Sequence, residues 1–218
     1  MSARRPEAGP RSGPLTPEGF AEQVPVSRET LDRLAAYLDL LRRWQHTINL
    51  VGSGTLDDPW RRHILDSAQL VRFMPDSARC LVDLGSGAGL PGIVLAILGV
   101  PEVHLIESDR RKAAFLREAA RATAAPATVH AVRIEAAPPL AADVVAARAL
   151  APLPQLLPLA ARFATPATRC LFLKGRRAET ELTEAARGWT MEVQRQPSLS
   201  DAEGSVLIIS GLQRVGSE

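Results

Sequence analysis

Residues 80–92, Cys-Leu-Val-Asp-Leu-Gly-Ser-Gly-Ala-Gly-Leu-Pro-Gly, constrain the fold more than any other stretch of the chain. The apolar run 80–84 reads as a buried strand, alternate glycines follow it, and Pro91 stands where a helix would begin. Proline suits a first helical position because that residue's N–H has no intrahelical partner. A loop with a Cβ at every position could not bring its backbone against a ligand, whereas a glycine loop can. A strand that ends in such a loop and passes into a helix is where parallel α/β sheets bind nucleotide-like cofactors.

Two cofactor classes fit this junction. Gly87-x-Gly89-x-x-Gly92 matches the dinucleotide fingerprint, a weak signal by itself. The loop opens earlier, however, as Asp83-x-Gly85-x-Gly87-x-Gly89, and that pattern resembles motif I of the class I S-adenosylmethionine-dependent methyltransferases. The resemblance implies a loop beside the methionine part of the cofactor, ordered with the help of Asp83. The next strand, expected at 103–107, ends in Glu107, a carboxylate placed to take both ribose hydroxyls in either class. Asp109 reads as the N-cap of a helix over 110–121. A nicotinamide-dependent oxidoreductase therefore stands as a rival.

From residue 80 onward, strand and helix signals alternate. Strands are expected at 80–84, 103–107, 128–132, 143–147, 169–174, 190–195 and 205–211, and helices at 91–98, 110–122, 152–163 and 177–187. Such alternation implies a parallel sheet with helices on both faces. The last two strands have no helix between them and should form an antiparallel hairpin. The expected fold class is α/β, a seven-stranded Rossmann-like sheet ending in that hairpin, as in class I methyltransferases. Ahead of it, Ser27 caps a helix with Leu31, Leu34, Ala35, Leu38 and Leu41 at helical spacing. Asp58-Pro59 starts a second helix with Trp60, Ile64, Ala68 and Val71 on one face. Residues 1–25, with Pro6, Pro10, Pro14, Pro17 and Pro25, read as a disordered tail. Arg4, Arg5 and Arg11 hint at a transit peptide, but the prolines and Glu7, Glu18 and Glu22 spoil an amphipathic helix. The expected organisation is a tail over 1–25 and one domain over 26–218, with a helical cap (26–75) on a cofactor-binding core (76–218).

The 218 residues suffice for one α/β domain with an extra element. The net charge of +2 announces no polyanionic partner, and no apolar run approaches a membrane span. Cys80 and Cys170, each near a strand start, read as buried residues of a cytoplasmic protein. His46, His63, His104 and His130 lack metal-ligand spacing, so no metal is expected.

Further segments sharpen the resemblance. Asn49-Leu-Val, Trp60-Arg-Arg-His-Ile-Leu-Asp-Ser67, the glycine loop, Leu105-Ile-Glu-Ser108 before Arg111-Lys112, Arg133-Ile-Glu135, Ala147-Arg-Ala149 and Leu173-Lys-Gly175 occur together. From about residue 30 to the C-terminus the chain resembles the RsmG (GidB) family of bacterial 16S rRNA guanine-N7 methyltransferases. Glu107 stands where that family carries an aspartate. The resemblance implies methyl transfer from S-adenosyl-L-methionine to N7 of a guanine in the decoding-region loop of 16S rRNA. The partner would be that RNA or a 30S subunit or precursor, and the protein a cytoplasmic monomer without metal. Two alternatives are a methyltransferase of a small molecule and a non-catalytic ribosome-assembly or cell-division factor of the same fold.

The expected cofactor contacts are Gly85, Gly87, Gly89, Leu90, Glu107, Ile134, Glu135 and Arg148. Glu135 could equally be a solvated helix start. Arg148, at the end of the fourth strand, faces the reacting centre in this fold. The Asn/Asp-Pro-Pro-aromatic motif that polarises an exocyclic amine is missing there; the chain has Ala146-Ala-Arg-Ala149. No cysteine is placed to attack a pyrimidine. Guanine N7 has an in-plane lone pair and no proton, so its methylation needs positioning and charge control but no general base. RNA-contact candidates are Arg42, Arg43, Arg61 and Arg62, with His63, Asn49 and Lys174 each divided between a structural and a substrate role. Asp66 would accept a hydrogen bond beside His63.

Overall fold

The computed structural model describes residues 13–52 and 54–216. A seven-stranded sheet is ordered β3-β2-β1-β4-β5-β7-β6. Its strands are β1 (Cys80–Leu84), β2 (Glu102–Ile106), β3 (Ala127–His130), β4 (Ala142–Arg148), β5 (Ala164–Lys174), β6 (Trp189–Pro197) and β7 (Ser205–Arg214). The first five run parallel, and β7 lies antiparallel to both β5 and β6. β1 and the Val144–Ala147 stretch of β4 are continuously apolar apart from Asp83 because both faces of the central strands are covered. Seven residues join β6 to β7, too few for a crossover helix, so the two form the expected hairpin. From β1 the chain goes to β2 on one side, and β4 lies on the other, so a crevice opens at the carboxyl ends between them.

Helices α4 (Gly92–Ile97) and α5 (Arg110–Ala122) cover one face, and α2 (Arg28–Gln45) packs on both. Ser27 Oγ accepts from Thr30 N at 3.1 Å and caps α2, whose Leu34, Tyr37, Leu38 and Leu41 are buried. Tyr37 packs against Phe115, and its O–H donates to Ala88 O at 2.6 Å, which ties α2 to the glycine loop. Helices α6 (Leu153–Ala160) and α7 (Ala178–Ala185) cover the other face, over a second apolar cluster with Val82, Val145 and Phe172. Between β3 and β4 there is no α-helix, only a 3-10 turn, Ile134–Ala136. Among the described residues no helix is long and apolar enough to cross a membrane.

Four expectations need correction. The tail expected over 1–25 is helical over α1 (Pro17–Gln23), with Thr16 Oγ1 accepting from Gly19 N. Pro17 favours a helix start, and Phe20, fully buried against Trp60 with ring centroids 5.6 Å apart, supplies the anchoring side chain. Pro6, Pro10, Arg4, Arg5, Arg11 and Glu7 lie outside the described residues. The second helix changes pitch: a π-helix at Trp60–Leu65, α3 at Asp66–Ala68, then 3-10 over Gln69–Phe73. It is no one-faced helix, since Val71 is exposed while Ser67, Gln69 and Leu70 are buried between neighbours on several sides. Cys80 is half-buried, whereas Cys170 is buried. β5 also begins five residues before its expected start, where Thr168 Oγ1 donates to Ala142 O across a shifted register.

Phe20→Ala should destabilise the protein by about 3–5 kcal/mol in denaturant unfolding. An unchanged midpoint would return residues 17–23 to the tail.

Candidate functional site

The loop after β1 takes its path from two buried contacts. Gly92 N–H donates to Asp83 Oδ2 at 3.1 Å, and Ser86 Oγ donates to Asp83 O at 3.0 Å. A Cβ on Gly92 would collide with Leu105 and Asp83 Oδ2, so only glycine lets the helix start so close to the strand. Gly85 has φ +65, and a Cβ there would meet Leu150 from the β4–α6 connection. Gly87 N–H donates to Glu107 Oε2 at 2.9 Å, and Asp109 N–H donates to Oε1 at 2.7 Å. Glu107 thus bolts the β1 loop to the tip of β2. Each of its oxygens keeps a further lone pair for a hydroxyl. Asp109 caps α5 as expected, accepting from Arg111 N and Lys112 N.

These elements enclose a crevice of about 520 Å³. Of the eight expected cofactor contacts it is lined by Gly85, Gly87, Leu90, Glu107, Ile134, Glu135 and Arg148. Gly89 is in the loop but not on the crevice wall; its missing Cβ makes room for Ile93 and Leu116 behind it. Leu90 and Ile134 are apolar, buried walls, and the Ile134–Ala136 turn presents backbone beside them. Glu135 O accepts from Arg162. The volume is ordinary for a cofactor site.

A second crevice of about 710 Å³ adjoins the first and shares Arg148, Ala149 and Leu150 with it. Ala149 has φ +50, uncommon for a residue with a Cβ, and this turn makes the common wall. The second crevice is lined by the charged residues Arg62, Asp66, Lys174 and Arg176 and by Ser205, set among apolar residues such as Leu150 and Leu173. Ser205 Oγ is buried there without a hydrogen-bond partner.

Arg148 is clamped from the π-helix. Its Nη1 lies 3.2 Å from Asp66 Oδ2, and Nη2 donates to His63 Nδ1 at 3.4 Å. Since arginine only donates, His63 must carry its proton on Nε2, which reaches Thr55 Oγ1 at 3.1 Å. Burial first, then the Arg148 and Arg62 charges, push His63 down to about 3, so it is neutral near pH 7. Asp66 Oδ1 accepts a short hydrogen bond from Ser200, and Arg62 pairs with Asp201 at 2.9 Å. The β6–β7 loop is thereby fastened to the π-helix across the second crevice. Sequence reasoning missed this loop, and no local signal marks it, because its partners lie more than 130 positions away.

The remaining candidates divide. His63 and Arg62 join the clamp. Arg61 pairs with Asp58 at 2.8 Å and donates to Gly13 O, so it holds the N-terminal segment. Lys174 lines the second crevice with its ammonium on Glu181 and Ala151 O. Asn49 is exposed beside Gln45, Arg42 pairs with Asp39, and Arg43 is exposed on α2.

Comparison with known proteins follows this geometry. The family model described as GidB, rRNA small subunit methyltransferase G, matches residues 30–207. The chain is 63% identical over 199 residues to the ribosomal RNA small subunit methyltransferase G of Rhodospirillum centenum, covering 91% of this chain and 92% of that one. It is 58% identical over 200 residues to that of Rhodospirillum rubrum, covering 92% and 100%. Among solved structures, a TehB-like SAM-dependent methyltransferase from Corynebacterium glutamicum superposes with a TM-score of 0.54 at 15% identity, covering 82% and 99%. The glycopeptide N-methyltransferase MtfA, complexed with S-adenosyl-L-methionine, gives 0.58 at 10% identity, covering 68% and 94%. These likenesses establish the class I methyltransferase fold.

Burial raises Asp83 from 3.8 to about 7, against the lowering by its bond from Gly92. A carboxyl with a raised folded pKa stabilises the fold fully below its unfolded value and loses that contribution as pH rises through the folded one. Asp83→Asn should therefore remove a loss of stability that the parent shows between about pH 4 and pH 7, read by denaturant unfolding. A parent-minus-variant difference that stays flat over that window would overturn the assignment.

Proposed function

The chain belongs to the rRNA small subunit methyltransferase G family, and from that premise we propose that it methylates N7 of a guanine in the decoding-region loop of 16S rRNA. The methyl donor is S-adenosyl-L-methionine, whose sulfonium supplies an electrophilic methyl group when bound. The donor crevice fits it: glycine-loop backbone that can be approached closely, a carboxylate with spare lone pairs at Glu107, and the apolar pair Leu90 and Ile134. Glu107 would take the ribose hydroxyls, and Ile134–Glu135 would border the adenine.

One observation carries the acceptor side. Among the described residues the donor crevice and the second, open crevice share Arg148–Leu150 as a common wall, so an acceptor in the second faces the donor over that wall. A nucleobase turned out of an RNA loop fits an open, arginine-bearing crevice better than a small apolar molecule does. In duplex RNA, N7 lies in a deep, narrow major groove that side chains do not read.

Transfer to N7 removes no proton, and His63, beside the wall, is neutral and already bonded to Arg148 and Thr55. The residues' work is positional. Asp66 and His63 fix the guanidinium, Arg148 holds the acceptor against the wall, and the walls exclude water. Positioning with preorganised electrostatics can supply much of such a barrier reduction.

16S rRNA from cells lacking this protein should accept radiolabelled methyl groups, with 7-methylguanosine as the product identified by mass. Label on an exocyclic amine or on ribose would sink the N7 reading. Arg148→Ala should lower transfer about 100-fold while moving the unfolding midpoint little; equal collapse of both would make Arg148 structural. Glu107→Ala should weaken S-adenosyl-L-methionine binding by about 10–100-fold in calorimetry, the worth of hydrogen bonds to a charged group.

A further inference from the structure

A separate cluster of donor groups lies at the opposite end of the sheet from both crevices. Cys80 and Glu102 open β1 and β2 and stand opposite each other in register, and His104 follows on the same face of β2. One ligand atom from each of Cys80, Glu102 and His104 lies within 4.8 Å of the others. His104 Nε2 is 3.0 Å from Glu102 Oε1, and Nδ1 is 3.0 Å from His130 Nε2 on β3. The imidazole thus turns Nε2 toward the thiol and carboxylate while His130 holds it from behind, as outer partners orient metal-ligating histidines.

The fold explains why such groups gather there. Further along the same face the strands carry Val82, Leu84 and Ile106, buried in the second apolar cluster. No α-helix follows β3, so no crossover helix from that strand lies over this face of β2 and β3, and the face can be polar. The surroundings favour a cation. Asp143 Oδ2 sits against the Arg79 and Cys80 N–H groups at 2.8 and 2.9 Å, placing a second carboxylate beside the thiol. His104 is 7% exposed, too buried to be a casual surface side chain, whereas Glu102 is open to solvent for an incoming ion.

The geometry points to a binding site for one divalent cation of the zinc class, held by Cys80 Sγ, a Glu102 oxygen and His104 Nε2. Thiolate, imidazole and carboxylate together suit Zn²⁺, whereas Mg²⁺ and Ca²⁺ take oxygen ligands. Three protein ligands leave a fourth tetrahedral position for water. On binding, the Cys80 thiol proton passes to solvent and the sulfur becomes the ligand. The ion would join the first residues of β1 and β2 and stabilise the folded state by mass action. It would take no part in methyl transfer, because it sits at the start of β1 and β2, with its nearest ligand, His104, two strand positions, about 7 Å, from Ile106 on the crevice wall.

The test uses metal-stripped full-length protein. Zn²⁺ is titrated against a competing chromophoric chelator, and Co²⁺ is titrated while thiolate-to-cobalt absorption is followed. One equivalent should bind, the thiolate band should appear with Co²⁺, and Zn²⁺ should raise Tm. Cys80→Ser should abolish the band and leave the methyltransferase rate unchanged. Glu102→Gln, at an exposed position that does not endanger folding, should weaken Zn²⁺ binding at least tenfold, and His130→Ala by about 10–100-fold. Lack of saturable binding would overturn the proposal. So would stoichiometric binding undiminished in both Cys80→Ser and Glu102→Gln, or a thiolate band surviving in Cys80→Ser, which would put the sulfur at Cys170.

Discussion

The hydrogen bond from Gly92 N–H to the buried carboxylate of Asp83 sets the distance between the end of β1 and the start of α4. Everything at the crevice follows from that distance. With the helix drawn in, the intervening glycine loop has to bulge toward β4 and β2, where Leu150 packs against Gly85 and Glu107 captures Gly87. A larger residue at position 92 would push Leu105 and Asp83 apart and open the junction. The burial that raises the Asp83 pKa shows that this geometry is held at an electrostatic cost.

Arg148 is the second point on which the site turns. It sits where the two crevices share a wall, and its direction is imposed from outside the sheet. The π-helix and the start of α3 place His63 and Asp66 against its two terminal nitrogens, and π-helical turns recur at functional sites for this kind of local redirection. Asp66 in turn accepts from Ser200, so the β6–β7 loop, the helical run and β4 share one polar network. One link in it stays open: Arg148 Nη1 is buried and pairs with Asp66 Oδ2 at 3.2 Å by charge, without a hydrogen bond. Ser205 Oγ, at the second crevice, is buried without a hydrogen-bond partner.

Much of the core architecture was legible because its signals are local. Apolar strands, the glycine loop and the Asp109 cap are each read within a dozen residues, and the structure places them where expected. The helical run 60–73 was not legible in the same way. Its sequence suggests one apolar face, yet packing on several sides buries Ser67, Gln69 and Leu70 and leaves Val71 outside. Proline content likewise suggested a tail through residue 25, while Phe20 finds a pocket beside Trp60 that only the folded chain provides. Gly89 reads like its neighbours along the chain but faces Ile93 and Leu116 rather than the crevice.

By itself, then, the amino-acid order settled the sheet, the glycine loop and the family, because period-two and period-3.6 patterns and a glycine spacing are properties of neighbours in the chain. Only tertiary structure decided which charges meet. The Arg148–His63 and Asp66–Ser200 contacts join residues 85 and 134 positions apart, and Cys80 reaches Glu102 through strand register. Side chains on separate elements acquire their partners from packing, and packing is not written in spacing along the chain.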